Sequence, residues 1–131
     1  MRFLLTVLFC GLMLSLQLAF ASNSEISQAY KQKTSNVQIQ GVGVVVHILP
    51  DDLQGSRHQK FIIELDNKQT ILIAHNIDLA NRINSLNIGD MVRFYGEYEW
   101  SSKGGVVHWT HHDPRGRHTN GWLKHNNTLY Q

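Results

Sequence analysis

The apolar positions change period several times along the chain. Phe3 to Phe20 is an almost unbroken apolar run, interrupted by Thr6, Gly11, Ser15 and Gln17. Residues 22–36 are polar, with a weak helical spacing at Ile26 and Tyr30. They read as a solvated arm with one or two helical turns at most. From Val37 the period becomes two, the signature of a strand. VQIQGVGVVVHIL alternates and then turns continuously apolar, predicting a strand that bends and is buried on both faces, with His47 in the core. Gly41 and Gly43, two apart, suit a bulge or a barrel corner. Pro50-Asp51-Asp52 ends this strand.

Four more strands follow. Gln59 to Leu65 places Phe61, Ile63 and Leu65 on one face, and Asp66-Asn67-Lys68 turns into a third strand, Gln69 to Ala74. The period then lengthens. Leu79, Ile83 and Leu86 have helical spacing behind the capping side chains of His75 to Asp78, which predicts a short helix. Met91 to Trp100 is the fourth strand. Ser101 to Gly105 turns into the fifth, Val106 to His111, with Trp109 inward. Keeping apolar residues on one face pairs Trp100 with Val107 and Tyr98 with Trp109, and sets Glu99 opposite His108. The predicted fold is mainly β: a five-stranded OB-like Greek-key barrel with a short helix between strands 3 and 4. Another small Greek-key barrel or a sandwich is the rival.

The apolar run, with Arg2 before it and Ala19-Phe20-Ala21 after it, predicts a signal peptide over residues 1–21 and export to the periplasm or beyond. A membrane anchor fits less well, because a spanning helix needs roughly 20 apolar residues. The single cysteine, Cys10, leaves with the signal, so no disulfide is expected. Residues 37–131 form one domain behind the arm. The formal net charge of +2 excludes a generally basic nucleic-acid binder; a polyanion site would need local clustering.

Such clustering occurs in HWTHHDPRGRHTNGW, residues 108–122, which holds four of the eight histidines. His112, Asp113 and His118 are candidate metal ligands, suited to zinc or another transition metal. His108 and His112 on a regular strand would stand about 13 Å apart, too far to share one ion. Asp113-Pro114-Arg115-Gly116 also satisfies the preferences of a type I turn, which gives Asp113 a local reason to exist. Arg115, Arg117 and His118 are candidate anion donors, Trp122 a stacking platform, and Glu99 with His108 a pair on the polar face. Arg57, His58 and His75 border the surface that an OB-fold uses for ligands.

The stretches Arg57-His58-Gln59, Ala74 to Asp78, Gly96 to Trp100 and His108 to Pro114 resemble a family of small exported bacterial proteins classed as a domain of unknown function, over about residues 37–131. The resemblance implies export and a compact β domain, and it brings no catalytic roles. The leading expectation is a binding domain for an anionic or polyhydroxylic ligand: nucleic acid, oligosaccharide or a phosphorylated small molecule. The alternative is a metal-dependent hydrolase of phosphodiester or glycan substrates working through the His108–His118 cluster. A third reading is a pH-responsive interaction protein, because histidines titrate near neutrality. Oligomeric state is left open.

Overall fold

The computed structural model describes residues 23–131. The predicted signal lies outside the described residues. Among those described, no helix is long and apolar enough to cross a membrane.

Among the described residues, seven strands form one sheet: β1 (Val37–Ile48), β2 (His58–Glu64), β3 (Thr70–Asn76), β4 (Met91–Glu99), β5 (Val106–His108), β6 (Trp122–His125) and β7 (Thr128–Tyr130). Their order is β1-β2-β3-β5-β4-β6-β7, and β1 also pairs with β4. The first five strands therefore close into an OB-like barrel. Closure needs two unlike contacts. β1 and β4 run antiparallel from Val37↔Tyr98 to Val44↔Met91. β3 and β5 are parallel, through Leu72↔Val106 and Ile73↔Val107.

Strict alternation builds the interior. Phe61 and Ile63 of β2, Ile71 and Ile73 of β3, and Val92, Phe94 and Tyr98 of β4 are all fully buried. The side chains between them face outward, half-buried or exposed. Core aromatics of this kind supply about 3–5 kcal/mol each against truncation to alanine.

The helix stands elsewhere than predicted. Residues 23–31 are helical and precede β1, whereas 77–90 form turns. The weak spacing at Ile26 was the true signal, because Ile26 and Ala29 are buried against the barrel. Gly41 makes room for Ile26; a Cβ there would lie 2.6 Å from Ile26 Cδ1 and 2.7 Å from Phe94 Cζ. The arm is thus a plug for the barrel rather than a solvated leader. In 77–90 the backbone is satisfied from outside. Gln59 brackets Ile83, its Oε1 accepting from Ile83 N at 2.9 Å and its Nε2 donating to Ile83 O at 2.8 Å. Arg82 donates to both Asp51 oxygens, at 2.7 and 3.1 Å. With partners fixed in this way, a helix would gain nothing.

β1 also departs from expectation. Its inner face is buried, but Val44, Val46 and Ile48 are 37–39% exposed, and His47 is exposed too. Val44 and Val46 face outward because they alternate with buried Gly43 and Val45, and a bulge between Val45 and His47 shifts the register with β2 by one residue, beyond which His47 and Ile48 are exposed as well.

The last correction concerns β5. The strand stops at His108, and Trp109 turns away with φ 56°. The register is Glu97↔His108, Tyr98↔Val107 and Glu99↔Val106, two residues from the predicted one. A slip of two keeps every side chain on its face, so the face pattern alone could not distinguish the two registers. Trp109 is half-buried and lies outside the core.

β6 carries the sheet on where β5 ends, pairing Tyr95 with Trp122. It is pinned by fully buried Leu123 and by His125, whose Nε2 lies 2.7 Å from Asp90 Oδ2. That contact, ahead of the Asn87 N–H, holds the Asp90 carboxyl below its ordinary pKa. We expect His125→Ala to cost roughly 2 kcal/mol through a cavity and a lost charged contact. Urea unfolding checks this: the midpoint should fall while the slope stays the same.

Candidate functional site

The histidine-rich stretch is an excursion from one edge of β4. The chain leaves that edge after His108, opposite Glu97, and rejoins it at Trp122, opposite Tyr95. Such compact loops with neighbouring ends are held by their own side chains. Gly96 lies between the two contacts, and a Cβ there would stand 2.5 Å from the His108 carbonyl oxygen. Thr110 and His111 tuck inward and are buried. Gly121 N donates to His111 O at 2.9 Å and closes the loop.

Asp113 organises the outer part of this loop. Its Oδ1 accepts from Arg115 N at 3.0 Å, and its Oδ2 accepts from Arg117 N and His118 N at 3.0 and 2.9 Å. These N–H groups, Arg115 foremost, lower its pKa against a smaller opposing effect of burial. Its lone pairs are spent on the turn. His112 points the other way, with Nε2 2.9 Å from Gln131 Oε1. Arg115 and Arg117 are exposed on the turn.

His118 turns back toward the barrel. Its ring stacks on Trp109 at 4.0 Å between centroids and 8° between planes. Its Nε2 lies 3.2 Å from Glu97 Oε1. Burial alone would lower its pKa, but the Thr119 carbonyl and the Glu97 carboxylate outweigh burial and raise it. The other Glu97 oxygen, Oε2, lies 3.1 Å from His108 Nε2, and Glu99 Oε1 lies 3.5 Å from the same nitrogen. Glu97 thus stands between two imidazoles, and His108 between two carboxylates. Among the described residues, Glu97, Glu99 and His108 are the group whose metal-competent atoms all lie within 4.8 Å of one another.

His108 and Glu99 also line a groove of about 310 Å³ on the outer face of the barrel, together with Asp52, His58, Lys60 and Ala74. Strands β2, β3, β4 and β5 contribute its floor, and the loop between β1 and β2 borders it. His58 is held there through Nδ1, 2.9 Å from Ser56 O. A larger cavity, about 470 Å³, lies along the outer face of β1. Val42, Val44, Val46, Leu65 and Met91 make it chiefly aliphatic, with Asn23, Glu64, Asp66 and Lys68 also in its lining.

The remaining sequence candidates fall outside this cluster. Arg57 Nε donates to Asp78 Oδ1 at 2.7 Å in an exposed ion pair. His75 is fully buried, because β3 runs two residues further than predicted and carries it inward. Its Nε2 lies 3.0 Å from Asn81 O and its Nδ1 2.7 Å from Thr110 Oγ1. Trp122 packs against Tyr95 in a tilted pair 6.1 Å apart. Of the predicted residues, the structure gathers Glu99, His108 and His118 into one cluster and leaves His58 in the adjoining groove. Glu97 and Lys60 were missed. Their signal was available: Glu97 and Glu99 alternate on one strand face opposite a histidine, and Lys60 follows His58 at the same period.

A family model described as "Protein of unknown function (DUF3465)" matches residues 8–131. No curated protein matches the chain.

Proposed function

Given that the chain belongs to the DUF3465 family, we propose that it is an exported barrel domain that binds a polyhydroxylic or short anionic ligand in the groove over β2, β3 and β5. The observation that carries this reading is the make-up of the groove. Lys60 supplies a donor, Asp52 and Glu99 supply acceptors, and the His58 and His108 rings stand beside them. Sugar hydroxyls both donate and accept, so a surface of mixed sign satisfies them. A long polyanion would meet the two carboxylates at a cost, which sets nucleic acid behind an oligosaccharide or sugar phosphate. The position agrees with the face that OB-folds use for oligosaccharides and oligonucleotides. Fold alone would not carry the reading, since one fold hosts many functions.

Titration against neutral and acidic oligosaccharides, sugar phosphates and single-stranded DNA tests it. We expect saturable binding to a sugar-containing ligand, weakened about tenfold by Lys60→Ala or His58→Ala, the scale of one lost hydrogen bond to a charged group. Tight binding to DNA with a steep salt dependence would favour a nucleic-acid role instead. Absence of saturable binding to every probe overturns the reading.

A further inference from the structure

We propose that Glu97, Glu99 and His108 form a site for one divalent transition-metal ion of the zinc class, with an open coordination position facing the groove. The first argument is distance. Metal–nitrogen and metal–oxygen bonds of about 2.0–2.2 Å place donor atoms sharing one ion about 2.9–3.5 Å apart, the edge lengths of an octahedron or a tetrahedron. His108 Nε2 stands 3.1 Å from Glu97 Oε2 and 3.5 Å from Glu99 Oε1.

The second argument is an orphaned atom. His108 Nε2 is shut off from solvent and makes no hydrogen bond, despite two carboxylate oxygens beside it. A buried nitrogen without a partner is costly, and a cation held between these three atoms removes that cost. Gln38, opposite Glu97 across β1–β4, likewise has a solvent-shielded Nε2 without a partner.

The third argument is charge. Glu97 and Glu99 lie two apart on one strand face, so their carboxylates repel unless a positive charge sits between them. The donor set selects the ion. One imidazole with two carboxylates suits zinc, manganese or iron(II) better than calcium, which takes six to eight oxygens. His118, on the far oxygen of Glu97, orients that carboxylate as an outer partner would.

Three protein ligands leave a coordination position for water or for a ligand oxygen. Glu99 and His108 line the groove, so that position opens into it. The ion needs no groove ligand, and only its contact with one rests on the function proposed above.

Calorimetric titration of chelator-treated, dialysed protein with Zn²⁺ alone tests the site, with Co²⁺ absorption as a second readout. We expect one ion per chain, and binding weakened about 100-fold or more in His108→Ala and Glu99→Gln, a loss beyond that of an outer partner. Circular dichroism reports whether each variant is folded. His47→Ala, an exposed histidine on β1, should bind as the parent does. Weak binding of several ions, retention in folded His108→Ala, or loss in His112→Ala alone overturns the proposal. Oligosaccharide titration with and without Zn²⁺ separates the two readings: metal binding without sugar binding leaves the ion and removes the groove ligand.

Discussion

Gly105→Ala should destabilise the protein by about 4 kcal/mol, combining backbone strain with overpacking of a closed core. Gly104 and Gly105 have φ of 116° and 111°, where L side chains are strained. Space is also lacking. A Cβ at Gly105 would enter the Tyr98 ring, and one at Gly104 would strike the Thr70 backbone. Both contacts lie at the point where the barrel shuts. Leu72 N donates to Gly105 O at 3.0 Å, Gln69 Nε2 to Gly104 O at 2.9 Å, and Thr70 Oγ1 to Lys103 O at 3.0 Å. Tyr98 OH donates to Gly104 O at 2.9 Å, and burial pushes the Tyr98 pKa up to about 12. The glycine pair thus lets a loop lie flat on β3 and start β5 parallel to it. Gly116→Ala is the matched comparison, since its φ is 64° and nothing lies within 4 Å. It should cost only about 1 kcal/mol, the strain without the clash. Thermal unfolding should separate the two by roughly 10–20 °C, and equal melting temperatures would refute the argument.

Stability should also fall by about 3 kcal/mol as pH drops from roughly 6.5 to 4, through His75 alone. Burial, opposed by the Asn81 carbonyl, lowers its pKa from 6.5 to about 4. The sign follows from where the proton binds. Over that interval the unfolded imidazole is protonated and the folded one is neutral, so acid favours unfolding. Above pH 6.5 both states are neutral, and below 4 both are charged, so the slope is confined to the window. The neutral ring fixes the tautomer: Nε2–H donates to Asn81 O, and Nδ1 accepts the Thr110 hydroxyl. Protonation would turn that acceptor into a second donor facing Thr110. Urea unfolding at several pH values measures the slope, which should flatten in His75→Gln. His118, with its raised pKa, acts in the opposite sense. An unaltered slope in His75→Gln would assign the acid sensitivity elsewhere.

The sequence carried the barrel better than the site. All five barrel strands follow from period-two alternation, and their order already suggested an OB-like fold. Single-residue events were less legible. The bulge at Val46 and the outward turn at Trp109 each reverse the direction of nearby side chains without altering composition. The helix was misplaced because Leu79, Ile83 and Leu86 have the right spacing for the wrong reason: Ile83 and Leu86 are buried by a turn that Gln59 and Arg82 hold.

Local reasoning about the loop met a different limit. Asp113 could be read as a turn residue because its carboxylate's partners are at most five positions away. Glu97 could not be tied to His118, because their meeting depends on how far the chain travels between leaving β4 and rejoining it. The partner of His108 across the strands is Glu97 rather than Glu99, but the slip of two preserved the face, so Glu99 still reaches His108 diagonally.

The β6–β7 hairpin bears on solubility at high concentration. A closed barrel hides its strand edges, but a hairpin appended to β4 restores one, at β7. Free edges recruit other chains when they are long and flat. β7 has three residues, Thr128 to Tyr130, and follows a turn in which Asn126 and Asn127 both have positive φ. So short and sharply turned an edge offers too few backbone groups in line to template a second chain, and it protects the protein against edge-to-edge aggregation.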